Sequence, residues 1–257
     1  MRKRSDKYKY KKFLFHSDIP KPKEGEVIIV PMDNRLLQNP PYLNKSNLPG
    51  WFHSLPKGRN SFRRCQGNYD YISNGFTIPA WTNIHIRPSA DGRDFDIKTE
   101  SFDENISFQI QRFPFDSTGE CPFTKDRELP KSDFPKLVSP WRYMTKKGTS
   151  LLALPILTDP DPRYTIVPGI VHSDYYHQIH IVLNIKSREE FMIPEGTPLQ
   201  HMVPIKRNAE IKTIVWGNQS LFALIRNSGS GKLLIKAKDA VLFYKQRQRE
   251  VDSEQDS

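Results

Sequence analysis

The sequence predicts a mostly β protein built of short antiparallel strands, on three observations. Its 21 prolines outnumber its 13 glycines and are spread along all 257 residues. A residue that locks φ and lacks an N–H is excluded from helix interiors and central strands, so these prolines mark many turns between short elements. The stretches "NIHI" (83–86), "DFDIKTE" (94–100), "ISFQIQRF" (106–113) and "QIHIVLN" (178–184) alternate apolar and polar residues, the period of a half-buried strand. Helical spacing is confined to Gly231–Glu250, where Leu233, Leu234, Ala237, Ala240, Val241 and Tyr244 recur three and four apart. A strand over Leu233–Lys236 is the alternative there.

The elements follow in chain order. Residues 1–25 read as a basic flexible arm ending in "IPKPKEG", whose prolines and charges prevent regular structure. "EVIIVPMD" (26–33) is a short apolar strand stopped by Pro31. Residues 34–64 have no clean period and read as a long loop with short turns, of a length usually reserved for functional or disordered segments. An Asn74–Gly75 turn leads to a strand over Phe76–Ile78, then to the alternating run from Trp81 to Ile86. Residues 113–138 form a Pro-rich inserted loop. "SPWRYMTKKGTSLLALPIL" (139–157) restarts the sheet around a Lys147–Gly148 turn. A Gly169-led turn, an alternating strand, a Gly196 turn and a further apolar strand carry the chain to Arg207. "IKTIVWG" (211–217) and "SLFALIRN" (220–227) are two more strand candidates. The expected organisation is thus the arm, one β domain over 26–230 with insertions at 34–64 and 113–138, and a C-terminal helix with an acidic tail over 231–257.

The formal charge is +10, and Arg2, Lys3, Arg4, Lys7, Lys9, Lys11 and Lys12 fall within the first twelve residues. Such a run is drawn to a polyanion of any kind or remains a solvated tail. No stretch reaches the ~18 apolar residues of a membrane helix, and the basic start lacks the apolar core of a signal peptide. With Cys65 and Cys121 as the only cysteines, two reduced, partly buried thiols are expected.

Chemistry is concentrated in "GIVHSDYYHQIHIVLNIKSREEFMIPEGTPLQHMVPIKR" (169–207). His172, His177 and His180 do not make a metal set by themselves. On a strand His177 and His180 project to opposite faces, and a distant ligand such as His201 or His85 would be needed. "RNSGSGK" (226–232) lacks the spacing and the following Ser/Thr of a phosphate loop.

This stretch resembles the dUTPase family of β-clip nucleotidohydrolases. Gly169, Ile170, Val171, Asp174 and Tyr175 match the family's third motif, with Ile179, Ile181, Leu183 and Asn184 following in phase. Gly196, Leu199 and Gln200 or His201 match its fourth motif, and Gly148, Thr149 and Pro155 its second. The resemblance implies a β-clip fold, homotrimers, and a base pocket formed by Gly169, Ile170, Val171, His172, Asp174, Tyr175 and Gln200. Tyr175 would stack on the base, and backbone groups of Gly169–His172 would read its edge. The departures fall on the catalytic positions: the water-holding Asp is His172, and the phosphate-binding Arg and Ser are Ile156 and Leu157. No catalytic residue is therefore assigned and no cofactor is expected, Mg²⁺ entering only if a nucleotide is bound.

The chain is also similar to a group of tailed-phage proteins, through Pro140-Trp141, Thr145–Leu152, Pro155, Gly169–Tyr175 and Ile193–Arg207. That likeness implies viral origin, in a host cytoplasm or a virion. Two functions compete: a non-catalytic structural or interaction scaffold, and a nucleotide-binding protein, hydrolytic or a sponge. The expected partners are copies of itself and a polyanion or nucleotide, with no membrane.

Overall fold

The computed structural model describes residues 19–56, 61–91, 94–99 and 134–207. Residues 19–49 and 72–207 belong to one unit, and residues 50–56 and 61–71 to a second. The basic arm up to Asp18, the run 106–113, the candidates over 211–227 and the predicted C-terminal helix lie outside the described residues.

The first unit is built of strands, as its alternation requires. In chain order they are β1 (Val27–Pro31), β2 (Tyr42–Leu43), β3 (Phe76–Pro79), β4 (Ile84–Pro88), β5 (Phe95–Thr99) and β6 (Lys136–Thr145). β7 (Thr149–Pro155), β8 (Tyr164–Ile166), β9 (Gly169–Val171), β10 (Gln178–Ile185), β11 (Phe191–Ile193) and β12 (Pro198–Lys206) complete it. They form three antiparallel sheets ordered β1-β6-β10-β8, β11-β4-β5 and β2-β3-β12-β7-β9. Every odd position of the predicted alternation "QIHIVLN" lands as expected: Ile179, Ile181 and Leu183 are fully buried, and Gln178, His180 and Val182 are half-buried.

All three sheets turn one face to a single core. Ile78, Leu151 and Met202 come from the five-stranded sheet, Ile84 and Ile86 from the three-stranded sheet, and Leu137, Tyr143 and Ile181 from the four-stranded sheet. Each such aliphatic side chain gains about 1.5–3 kcal/mol on burial. Stacked rings join sheet to sheet: Phe76 and Tyr143 at 5.9 Å between centroids, Tyr164 and Phe191 at 6.0 Å. Trp141, 2 % exposed, is a core aromatic.

Three sequence expectations are corrected. The inserted loop over 113–138 ends earlier, because β6 begins at Lys136. Pro140 obscured this strand, yet it sits in a bulge. Gln178 faces Arg142 while His180 faces Val138, so Ser139 to Trp141 stand against Ile179 alone, the kind of site where a strand tolerates proline. Second, Gly169 does not lead a turn; it pairs with Ala153 as the first residue of β9, and the turn comes at His172, whose carbonyl accepts from the Tyr175 and Tyr176 amides. Third, Cys65 is exposed rather than partly buried.

The described residues of 34–64, expected as a long loop with short turns, hold a 3-10 turn at Asn34–Gln38, β2, a second 3-10 turn at Asn44–Ser46, helix α1 (Gly50–Ser54) and a 3-10 turn at Phe62–Arg64. Helix α2 (Gln66–Ser73) follows; only Ile72 of it is buried, too little for an apolar repeat to announce it in the sequence. In the second unit the Trp51 ring meets Phe52 and Phe62 edge-on, and Arg63 donates to the His53 carbonyl at 3.0 Å.

Gly75 has a structural duty beyond its turn. Its φ of 67° favours glycine, and a Cβ there would lie 2.0 Å from the Met202 carbonyl oxygen. That close approach lets the Asn74 carbonyl accept from both Asn44 Nδ2 and His201 Nε2, each at 2.8 Å. Thr77 Oγ1 donates to Asn44 Oδ1 at 2.6 Å and completes a buried polar cluster. No helix among the described residues is long and apolar enough to cross a membrane.

Candidate functional site

The candidate site is the turn from His172 to His177, held by three neighbouring elements. The β6–β7 connection turns at Gly148, whose φ of 88° suits glycine. Its amide donates to Asp174 Oδ2 at 2.9 Å, and its carbonyl accepts from the Arg207 amide at 3.0 Å. Arg207, at the end of β12, also donates its Nη2 to Asp174 Oδ2. One carboxylate oxygen thus joins a turn glycine and the far end of a strand.

A second set of bonds lies beneath. The Thr145 amide donates to the Ser173 carbonyl at 3.3 Å, and Thr145 Oγ1 donates to the Thr149 carbonyl at 2.9 Å. The fully buried Ser173 hydroxyl meets Thr145 Oγ1 at 2.8 Å; since that proton is already committed, Ser173 donates. His177 Nδ1 lies 3.0 Å from the Ser173 carbonyl and 3.3 Å from the Tyr143 carbonyl. Both are acceptors, so this nitrogen carries the proton. His172 Nδ1 bonds Ser150 Oγ at 2.9 Å.

Electrostatics follow from these partners. Burial alone would raise the Asp174 carboxyl, whose side chain is 4 % exposed. The Gly148 amide and the Arg207 guanidinium outweigh that effect and hold it below its ordinary value. Its other oxygen, Oδ1, is buried without a hydrogen-bond partner among the described residues.

What faces outward is aromatic and apolar. Tyr175 is 67 % exposed and Ile170 57 %. The Arg207 guanidinium stands 5.6 Å from the Tyr175 ring centre, close enough for a cation–π contact. The His172 ring lies 5.6 Å from the same tyrosine.

The seven residues predicted for a base pocket therefore divide. Ile170, His172 and Tyr175 share an exposed surface; Asp174 is turned inward to its brace. Gly169, Ile170 and Val171 pair with Ala153, Leu152 and Leu151 of β7. Gln200 lies two strands away, opposite Pro155 and Ile78 on the core face, 1 % exposed. Its Oε1 has no partner among the described residues. Gln200 and Tyr175 are thus not on one open surface. The seven basic residues of the arm lie outside the described residues. Sequence reasoning places Gly148 in a turn but gives no sign that Gly148, Ser173 and Arg207 hold this site, since contacts spanning tens of residues leave no local signal.

Among the described residues no three His, Cys, Asp or Glu side chains are grouped to hold a metal ion. No family model matches the chain, and no curated protein matches it.

Proposed function

We propose that the chain is a non-catalytic interaction scaffold built on a β-clip domain, of viral provenance as its phage-type pattern implies. The observation that carries this reading is the commitment of Asp174. It is the one carboxylate between Gly169 and Ile185, and it accepts from Gly148 and Arg207, so it serves the fold. A triphosphate hydrolase needs a group that orients the attacking water and cations that neutralise the phosphates. His172 stands where the resembled family has its water-holding Asp, and it is engaged by Ser150. Self-association, with the trimer as the implied form, belongs to the same proposal.

The test is pyrophosphate release from dUTP and dCTP with Mg²⁺. The expected result is no release above buffer; release abolished by His172→Ala contradicts the scaffold reading. A nucleotide sponge is the second reading, favoured by the exposed Tyr175 ring beneath Arg207. A nucleotide or cyclic dinucleotide at a hundred times its Kd would stabilise the fold by roughly 2.7 kcal/mol. A melting shift of that order, absent in Tyr175→Ala, would select the sponge.

A further inference from the structure

The corner before β3 sets a reactive pair of residues in a rigid frame, and neither function above uses it. Asn74 is the one asparagine of the chain that a glycine follows. A glycine amide has no side chain to shield it, so it is the backbone nitrogen best able to reach a preceding carboxamide. Asn74 is exposed, and the Gly75 amide lies 2.8 Å from its Oδ1.

The chemistry open to these groups needs water alone. The Gly75 nitrogen, giving up its proton, bonds to Asn74 Cγ; the bond from Cγ to Nδ2 breaks, and Nδ2 leaves as ammonia. Water then opens the five-membered imide. Opening at Cγ gives aspartate. Opening at the main-chain carbonyl carbon gives isoaspartate, in which the backbone runs through the side chain.

The folded corner opposes the first step. The Gly75 N–H donates to Oδ1, so its hydrogen is directed at the oxygen, whereas attack requires the nitrogen above the plane of the carboxamide at Cγ. Bringing it there turns the Asn74–Gly75 peptide plane, and that plane is pinned. Its carbonyl accepts from Asn44 Nδ2 and His201 Nε2, each at 2.8 Å. The next carbonyl, of Gly75, accepts the Asn44 amide at 3.2 Å. Thr77 Oγ1 holds the Asn44 side chain in place at 2.6 Å, and the Met202 carbonyl stands against Gly75 where a Cβ would be.

We propose that Asn74 is a self-modification site that this polar cluster keeps latent, so that conversion to isoaspartate records opening of the corner and is not undone. The consequence follows from which atoms change. In isoaspartate the main-chain carbonyl that receives Asn44 and His201 becomes a free carboxylate, and the link to Gly75 gains a methylene. Beyond Gly75 the chain enters β3 at once, where Phe76 pairs with Met202 and Leu43, so no slack residue absorbs the added length. Conversion to ordinary aspartate keeps the backbone path.

The experiment holds the full chain at mildly alkaline pH, folded or in urea, and follows Asn74 by peptide mass mapping and isoaspartyl methyltransferase labelling. Conversion is expected to be about ten-fold or more slower in the folded chain, because it waits on local opening. Asn44→Ala and the milder Thr77→Val loosen the cluster and leave the Asn-Gly pair intact. Each is expected to speed folded-state conversion about five-fold or more, as lost hydrogen bonds shift the opening equilibrium. Isoaspartate chains returned from urea are expected to melt below both the parent and Asn74→Asp. Three results overturn the proposal: equal rates folded and in urea, variants that melt as folded proteins yet convert no faster than the parent, or isoaspartate chains that regain the parent's Tm.

Discussion

Asp174 and Arg207, 33 residues apart, meet through one carboxylate oxygen that also accepts the Gly148 amide. The contact ties the turn after β9 to the end of β12 and to the β6–β7 corner. It gives the one carboxylate of this turn a structural duty.

Two glycines with similar φ predict different costs. Gly148→Ala meets no atom within 4 Å, so it bears only the left-handed strain of about 1–2 kcal/mol. Gly75→Ala bears the same strain and also meets the Met202 carbonyl. It is expected to cost clearly more, above about 3 kcal/mol. Chemical denaturation of both variants checks the order, and equal losses would refute the close approach.

The buried hydroxyl pair predicts a non-additive series. Thr145→Val leaves Ser173 Oγ without its acceptor and is expected to cost about 1–3 kcal/mol. Adding Ser173→Ala removes the stranded group, so the double variant is less destabilised than the two singles summed. Urea midpoints measure the series; strict additivity would place the two hydroxyls in separate environments.

His201 predicts a stability that falls toward acid. Burial holds its pKa below the usual 6.5, only partly offset by the Asn74 carbonyl. The carbonyl of Asn74 that it meets, and the Asn44 and Thr77 side chains of the same cluster, are neutral. The folded state therefore binds this proton less readily than the unfolded chain. The His201 contribution is complete above 6.5 and is lost as pH falls from there toward the lower folded value. Asp174 acts in the same direction at lower pH, below its ordinary 3.8. Melting temperatures measured between neutrality and mildly acid pH are expected to drop, and to drop less in His201→Gln. Parallel pH profiles for the two proteins would contradict the assignment.

Much of the β architecture was legible in local pattern. Pro31 ends β1, Gly148 turns between β6 and β7, and the alternation of β10 separates core from half-buried positions from Gln178 to Leu183. Local pattern failed where a distant partner overrode it. Pro140 reads as a break, but its carbonyl accepts the Met32 amide and the bulge against Ile179 removes the conflict. Gly169 reads as the head of a turn, but β7 supplies an edge on which it continues as strand. Its motif position groups Gln200 with the site, while the parity of β12 turns it to the core beside Ile78. The brace itself is made of residues that become neighbours only after three strands have paired.

The most direct test of the central claim, that Asp174 serves the fold rather than a reaction, is a double-mutant stability cycle with Asp174→Asn and Arg207→Ala. Each single change is expected to destabilise by about 1–3 kcal/mol. Once Arg207 is gone, Asp174→Asn removes an unpaired buried charge and costs little or nothing, giving a coupling of about 0.5–3 kcal/mol. Losses that add to within about 0.5 kcal/mol would show two independent residues and contradict the account.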